Sequence, residues 1–212
     1  MVGEAEAHSG WAARLRRFAC PPPMEYCEFC RAEIPAEHAH LLDVAGRRLA
    51  CACRTCALAF AGRVDAAYRA VPSRVQAMRE FYLTDSEWSG FHIPIDMAFL
   101  FHSTPQARPI ALYPGPAGAA EQALSVDAWS MLIANNPTLA DLSPDVEALL
   151  VNRLRGRRDY YRASIDHCYA LVGLIRANWR GLSGGGEVWD LIDSFFARLR
   201  LDGDGLAEQR HD

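Results

Sequence analysis

Two Cys-x2-Cys pairs constrain the fold of this chain more than any other feature of its sequence. Cys27 pairs with Cys30 and Cys53 pairs with Cys56, and residues 31–52 separate the two pairs. A tight turn of this length directs two sulfur atoms to one side, so two such turns supply the four thiolates of a tetrahedral metal site. Metal binding also stabilises a segment too short to bury a core of its own. The spacing therefore predicts a metal-binding finger at residues 25–62.

The cysteine count and the N-terminal segment indicate the cellular compartment of the protein. The chain has seven cysteines, and an odd number argues against a framework of disulfide bonds. The N-terminal segment is acidic and lacks the apolar stretch of a secretory signal, and no stretch approaches the ~20 apolar residues that span a bilayer. We therefore expect a cytoplasmic protein with reduced thiols and no membrane partner. Residues 1–24 are expected to form a flexible leader.

The residues between and after the two pairs favour a β-hairpin followed by a helix. Residues 38–44 alternate apolar and polar side chains, residues 45–47 suit a turn, and residues 48–52 suit a returning strand. The run after Cys53 favours a helix, whose free N–H groups stabilise thiolates in the first turn. A knuckle, a hairpin and a helix that carries the last two ligands resemble the treble-clef zinc finger.

Three further residues near the pairs are alternative metal ligands. Cys51 lies two residues before Cys53, so on a strand both side chains point to one face. Cys51 therefore replaces Cys53 as a ligand, donates a hydrogen bond to a ligand of the metal, or packs beside the metal as a small buried residue. His38 and His40 also share a strand face, where they either bind the metal or form the polar face of the hairpin. The four cysteines of the two pairs are the preferred ligands.

The four thiolates suit either zinc or a single iron ion. Rubredoxin-type iron sites usually carry glycine directly after each Cys-x2-Cys turn, whereas this chain carries Arg31 and Ala57 there. This difference favours Zn2+ as the cofactor, with iron as the alternative and a 2Fe–2S cluster as a further alternative. Four cysteine ligands also favour a structural metal over a catalytic one, because a catalytic zinc keeps an open position.

The rest of the chain predicts an α+β domain over residues 63–201 and a disordered polar tail over residues 202–212. Apolar residues at every second position of residues 91–101 indicate a half-buried strand, with His92, Asp96 and His102 on its polar face. The predicted fold class is α+β, with a treble-clef-like finger followed by a mainly antiparallel sheet covered by helices. The predicted helices are residues 74–83, 126–135, 165–179 and 187–201, and the further strands are residues 108–113, 146–154 and 158–164. Residues 146–154 also fit a helix, and the turn at residues 155–157 favours the strand.

Several blocks of the sequence resemble an uncharacterised bacterial family of unknown function, over about residues 25–200. The first block contains both cysteine pairs and His38-Ala39-His40-Leu41-Leu42-Asp43. The later blocks are Tyr113-Pro114-x-Pro116-Ala117-Gly118, Pro144-Asp145-Val146-Glu147-Ala148-Leu149-Leu150-Val151, Ile165-Asp166-x-Cys168-Tyr169-x-Leu171-Val172-Gly173 and Trp179-Arg180-Gly181. Genes of that family often accompany those of uptake nickel–iron hydrogenases. The resemblance therefore implies a role in maturing or serving such an enzyme, and it implies no established activity.

The sequence contains no P-loop and no GxGxxG, GxSxG or HExxH motif. Asp166 is expected to cap a helix and Cys168 to be a buried thiol. The one dense basic cluster is a candidate surface for an acidic protein partner, with a solvated charge run at a hairpin tip as the alternative. We call this set the arginine cluster; it comprises Arg153, Arg155, Arg157 and Arg158.

These observations favour a zinc-stabilised, non-enzymatic accessory or adaptor protein that binds another protein. Together with the resemblance, they suggest a hydrogenase subunit or maturation factor as the partner. The alternative is a rubredoxin-like iron protein with a redox or iron-handling role. A nucleic-acid-binding zinc finger is a third class. The net charge of −4 argues against that class.

Overall fold

The computed structural model describes residues 24–61, 67–115, 118–180 and 186–208. Within these residues, neighbouring strands pair antiparallel. The helices are Arg54–Ala61 (α1), Asp85–Gly90 (α2), Val126–Asn135 (α3), Ile165–Asn178 (α4) and Gly186–Glu208 (α5), with 3-10 turns at Pro137–Leu139 and Leu154–Gly156. The strands are Glu25–Tyr26 (β1), Glu33–Ile34 (β2), Ala39–Asp43 (β3), Arg48–Ala52 (β4), Tyr68–Ala70 (β5), Val75–Ala77 (β6), Met97–Ser103 (β7), Arg108–Gly115 (β8), Gly118–Ala123 (β9), Glu147–Asn152 (β10) and Asp159–Ser164 (β11).

The strands form three sheets, which confirms the predicted α+β class. A two-stranded ribbon joins β1 to β2, and a three-stranded sheet has the order β4-β3-β5. The largest sheet has six strands in the order β6-β11-β10-β7-β8-β9. Its neighbouring strands all pair antiparallel. Within the described residues, no helix combines the length and the apolar character needed to cross a membrane.

Both faces of the six-stranded sheet are buried by helices. On β7, Phe99 and Phe101 belong to the hydrophobic cluster that includes α4 and α5. Ala98 and Leu100 alternate with them and belong to the cluster that includes α2 and α3. The strand predicted at residues 91–101 exists, but the prediction is wrong about where it starts and about its second face being exposed to solvent. Residues 91–96 precede the strand, and the face predicted to be polar packs against helices.

The helices predicted at residues 165–179 and 187–201 are confirmed as α4 and α5. The helix predicted at residues 126–135 is confirmed as α3, in which Trp129 and Leu132 are buried. The predicted helix at residues 74–83 is wrong. Those residues include β6, which pairs with β11 at the edge of the large sheet. The backbone hydrogen bonds of this pairing outweigh the local helix propensity of the segment. The next helix, α2, begins only after Thr84, which caps it together with Glu87.

The ends of two other elements also differ from the prediction. The strand predicted at residues 108–113 continues to Gly115 and pairs with β9, a strand that was not predicted. Helix α5 continues to Glu208, so residues 202–208 are helical and not disordered as predicted. Residues 1–23 of the predicted leader and residues 209–212 of the predicted tail lie outside the described residues.

The finger packs against the α+β domain. Strand β5 lies beyond the predicted finger boundary at residue 62 and pairs with β3 as a third strand. Leu42 of β3 is buried in the same cluster as α4 and α5, and Leu49 and Val71 pack against that cluster. Arg69 of β5 places its guanidinium 3.3 Å from the carboxylate of Asp145. The two predicted domains therefore share one hydrophobic core.

Candidate metal centre

The first cysteine pair lies in a tight turn between β1 and β2. Cys27 N–H donates to the carbonyl of Ala32 at 2.8 Å, and Arg31 N–H donates to the carbonyl of Cys27 at 2.9 Å. Arg31 has a φ of 64°, a left-handed conformation that glycine adopts at less cost. This turn directs the side chains of Cys27 and Cys30 toward the second pair.

The second cysteine pair lies at the N-terminus of α1. Cys53 directly precedes the helix, and Cys56 lies in its first turn. The backbone N–H of Cys56 donates to the sulfur of Cys53 at 3.4 Å. The first N–H groups of a helix have no partner within the helix and carry partial positive charge, so this position favours thiolates.

The four predicted ligands come together as one group, which we call the four-cysteine site. The sulfur atoms of Cys27, Cys30, Cys53 and Cys56 all lie within 4.8 Å of one another. The sulfurs of Cys30 and Cys53 are 3.7 Å apart. Zinc–sulfur bonds of about 2.3 Å in a tetrahedron place sulfur atoms about 3.8 Å apart, so the spacing suits a single metal ion.

The thiols of the four-cysteine site differ in acidity. Burial raises the pKa of Cys27, but backbone N–H groups, first that of Cys53, outweigh burial and lower the pKa to about 6. Burial and hydrogen bonds with the neighbouring thiols raise the pKa of Cys56 to about 12. Thiolates held this close repel one another, so full deprotonation of the site requires a bound cation.

Glu28, between the two cysteines of the first pair, ties this turn to β4. Its carboxylate accepts the backbone N–H of Cys51 and the guanidinium of Arg48, each at 2.8 Å. The backbone N–H of Glu28 also donates to the carbonyl of Cys51 at 2.9 Å. We did not predict this role from sequence. The signal for it is a carboxylate within the first pair and an arginine on the returning strand.

The three alternative ligands form a separate group, which we call the second cluster. A ring nitrogen of His38, a ring nitrogen of His40 and the sulfur of Cys51 lie within 4.8 Å of one another. The hairpin register explains this, because Cys51 is directly opposite His40. The four-cysteine site is complete without these three residues.

Asp166 connects the finger to helix α4. Its carboxylate lies 3.3 Å from Nδ1 of His40 and accepts the backbone N–H of His167 at 2.8 Å. Burial raises the pKa of Asp166, but hydrogen bonds from His167, His40 and Ser164 outweigh it and hold the pKa well below the ordinary value. The prediction that Asp166 caps the helix is wrong, because Ser164 occupies the N-cap position.

Cys168 on α4 is buried, as expected for a structural thiol. Burial raises the pKa of this thiol. A buried and protonated thiol is a poor nucleophile, so Cys168 belongs to the hydrophobic core.

The arginine cluster is paired with carboxylates of its own chain. Arg153 is buried, contacts Asp85 and lies over the ring of Trp88 with its guanidinium 5.4 Å from the ring centre. The other three arginines also form ion pairs: Arg155 with Asp193 at 3.0 Å, Arg157 with Asp193 at 3.2 Å and with Asp159 at 3.9 Å, and Arg158 with Asp85 at 2.6 Å. Arg153 therefore contributes to the core, and only the other three arginines offer exposed guanidinium groups.

The fold and the four-cysteine site define an α+β protein with a candidate metal finger at its N-terminal end. A family model described as a family of unknown function (DUF5947) matches residues 26–202, and the chain belongs to that family. The matched residues include both the finger and the α+β domain. No curated protein and no solved structure matched the chain.

Proposed function

We propose that this protein is a zinc-stabilised accessory or adaptor protein that binds another protein and is not itself an enzyme. The observation that carries this proposal is the complete set of four sulfur atoms within 4.8 Å of one another. Four cysteines fill a tetrahedral coordination sphere and leave no position for a substrate, which is typical of structural zinc. In this role the metal holds the finger in the shape that packs on the α+β domain.

The surroundings of the four cysteines favour zinc over iron. The first turn closes with Arg31 in place of the glycine usual in rubredoxin-type sites, and the second pair begins a helix. An all-thiolate donor set also suits iron, so a rubredoxin-like redox or iron-handling protein is the alternative.

Metal analysis of tag-free protein, purified without added metal, tests the identity of the ion. We expect bound zinc and no absorption in the visible range. Bound iron with visible sulfur-to-iron absorption would contradict the zinc proposal and support the iron alternative. The protein with Cys27→Ser should lose the metal of the four-cysteine site, because the change removes one of its four ligands.

The proposed partner is a cytoplasmic protein with an acidic surface, and the resemblance described above suggests a hydrogenase subunit or maturation factor. Arg155 is 60% exposed, and Arg157 and Arg158 are partly exposed. Their guanidinium groups suit carboxylates, and a partner's carboxylates would compete with Asp85 and Asp193 for them. Arg158 also lines a surface groove with Arg200, which extends this basic surface.

A deletion strain tests the partner proposal. Deleting the gene should lower hydrogenase activity, and the variant with Arg155, Arg157 and Arg158 changed to Ser should restore that activity only in part. Arg176→Ser, a change at an exposed arginine of α4, is the matched control and should restore the activity fully. Full activity in the deletion strain would contradict the accessory role. Full rescue by the triple variant would contradict only the choice of surface.

A further inference from the structure

The second cluster lies on the hairpin face that packs toward the α+β domain. Side chains two apart on a strand share a face, so His40 and Leu42 of β3 point the same way. His38 directly precedes β3, and its ring lies 4.7 Å from the ring of His40. Cys51 is opposite His40 in the hairpin register, and Leu42 is buried among residues of the large core. Two histidines and one cysteine therefore converge where the finger meets the domain, with ligand atoms within 4.8 Å of one another.

One ring nitrogen of His38 is buried and has no hydrogen-bond partner among the described residues. Its Nδ1 lies 2.9 Å from the carbonyl oxygen of Pro35 and 3.1 Å from the carboxylate of Glu25. Both groups accept hydrogen bonds, so Nδ1 carries the proton and Nε2 carries a free lone pair. The side chain of His38 is only 5% exposed, and nothing in the part of the chain that the structure describes forms a hydrogen bond with Nε2. A buried lone pair without a donor is costly, unless a cation binds it.

His40 is oriented in the same way. Its Nδ1 lies 3.3 Å from the carboxylate of Asp166, which directs the lone pair of Nε2 away from the carboxylate. Asp166 is itself held by the backbone N–H of His167 at 2.8 Å. Histidines that bind metals usually donate their second N–H to a carboxylate or a carbonyl group, which fixes the tautomer and the direction of the ring. Both histidines of the cluster have such an acceptor.

We propose that His38 Nε2, His40 Nε2 and Cys51 Sγ bind a second divalent metal ion, separate from the four-cysteine site. Two imidazole nitrogens and one thiolate suit Zn2+ in tetrahedral coordination. Three protein ligands leave one position for an exogenous ligand. The side chain of His40 is 30% exposed, so this position is accessible to solvent or to a small anionic ligand. The second ion therefore exchanges more readily than the ion of the closed four-cysteine site.

Zinc stoichiometry of the tag-free full-length chain tests this proposal. The wild-type protein should bind two equivalents of Zn2+, with one removed by chelator much faster than the other. Cys51→Ser and His38→Gln should each bind one equivalent and lose the fast phase. His102→Gln removes a histidine of β7 outside the cluster, so this control should keep both equivalents. A single equivalent in the wild type, or two equivalents in both cluster variants, would overturn the proposal.

Cobalt titration of the wild-type protein provides a test that does not depend on variants that fold. The first equivalent of Co2+ should give the strong sulfur-to-cobalt absorption of a four-thiolate site. The second should add visible bands with weaker sulfur-to-cobalt absorption, because only one of its ligands is sulfur. Spectral saturation after one equivalent would overturn the second site and leave the four-cysteine site unaffected. If Cys51→Ser lost both ions while Cys53→Ser kept one, Cys51 would belong to the first site and the proposal would fail.

Discussion

Glu147 is a buried charged residue that is stabilised by its hydrogen-bond donors. Its carboxylate is closed off from solvent and accepts hydrogen bonds from Arg162 at 2.6 Å and from Arg74 at 2.9 Å. The backbone N–H of Ser143 donates to the same carboxylate at 3.0 Å. Burial raises the pKa of Glu147, but these donors outweigh burial and lower the pKa to about 2. The charged form is therefore strongly favoured in the folded state.

We expect Glu147→Gln to destabilise the protein at neutral pH and to matter less in acid. The pKa in the folded state lies below the ordinary value of 4.5, so the carboxylate adds stability above about pH 4.5 and loses it as pH falls toward 2. The free energy of unfolding at pH 7 should drop by about 3–5 kcal/mol, because two arginines lose their buried partner. Urea unfolding of both proteins at pH 7 and pH 3 measures this. The exposed Glu80→Gln is the control, and an equal loss at both pH values would contradict the assignment.

Arg153 and Arg155 belong to one sequence cluster but have different roles. We expect Arg153→Ser to lower the free energy of unfolding by about 2 kcal/mol, since it removes a buried side chain that packs over Trp88 and contacts Asp85. Arg155→Ser removes an exposed ion pair with Asp193 and should cost less than about 1 kcal/mol. Equilibrium unfolding in urea compares the two. An equal decrease in the free energy of unfolding for both variants would contradict the claim that the buried Arg153 contributes more to stability than the exposed Arg155.

At the scale of elements, helix α5 covers the edge of the large sheet. Strand β6 is the outermost strand on one side, and an exposed edge strand offers unpaired backbone groups to other chains. The helix lies so close to β6 that a Cβ atom at Gly203 would be 3.0 Å from the backbone nitrogen of Ala77. The close approach depends on a glycine within the helical segment that the sequence had suggested to be disordered.

Two glycine-to-alanine changes test this contact. Gly203→Ala should lower the free energy of unfolding by about 1 kcal/mol, because the added methyl group would lie 3.0 Å from the backbone nitrogen of Ala77 in a paired strand. On α4, Gly173→Ala meets no atom of the described residues within 4 Å and should raise stability by up to about 1 kcal/mol through helix propensity. Thermal unfolding of both variants gives the comparison. A gain in stability for Gly203→Ala would contradict the close packing of α5 on β6.

At the scale of the molecule, the finger and the α+β domain share a boundary built from three kinds of contact. Leu42 enters the large core, His40 meets Asp166, and Arg47 forms an ion pair with Glu121. The predicted division into a finger at residues 25–62 and a domain at residues 63–201 thus cuts through packed side chains. A disturbance of the finger is expected to reach the domain.

Metal removal tests this coupling. Stripping the metal with a strong chelator should lower the melting temperature of the whole chain by about 10 °C or more, because a structural metal contributes several kcal/mol of folding free energy. We expect one transition, followed equally by far-ultraviolet circular dichroism and by tryptophan fluorescence from the α+β domain. Re-addition of Zn2+ should restore the original melting temperature. An unchanged melt of the domain after metal loss would show that the finger folds as a separate unit.

The sequence by itself determined the elements whose signals are local. The two cysteine pairs, the hairpin between them and the helix after Cys53 follow from spacing and turn residues over short stretches of chain. Helices α3, α4 and α5 follow from apolar periodicity, which a helix displays along its own length. The arginine cluster was also visible as a group, although its burial was not.

Only the tertiary structure determined which elements pack together and which side chains become buried or clustered as a result. Residues 74–83 carry a helical pattern, yet β11 offers the partner that makes part of them a strand. The second face of β7 is buried because α2 and α3 cover it. Likewise the register of β3 and β4 brought His40 opposite Cys51, beside His38, and Asp166 contacts His40 from far along the chain. The reason is physical: local pattern reports a segment's own preference, whereas burial, ion pairs and shared ligands depend on partners that folding brings from distant positions.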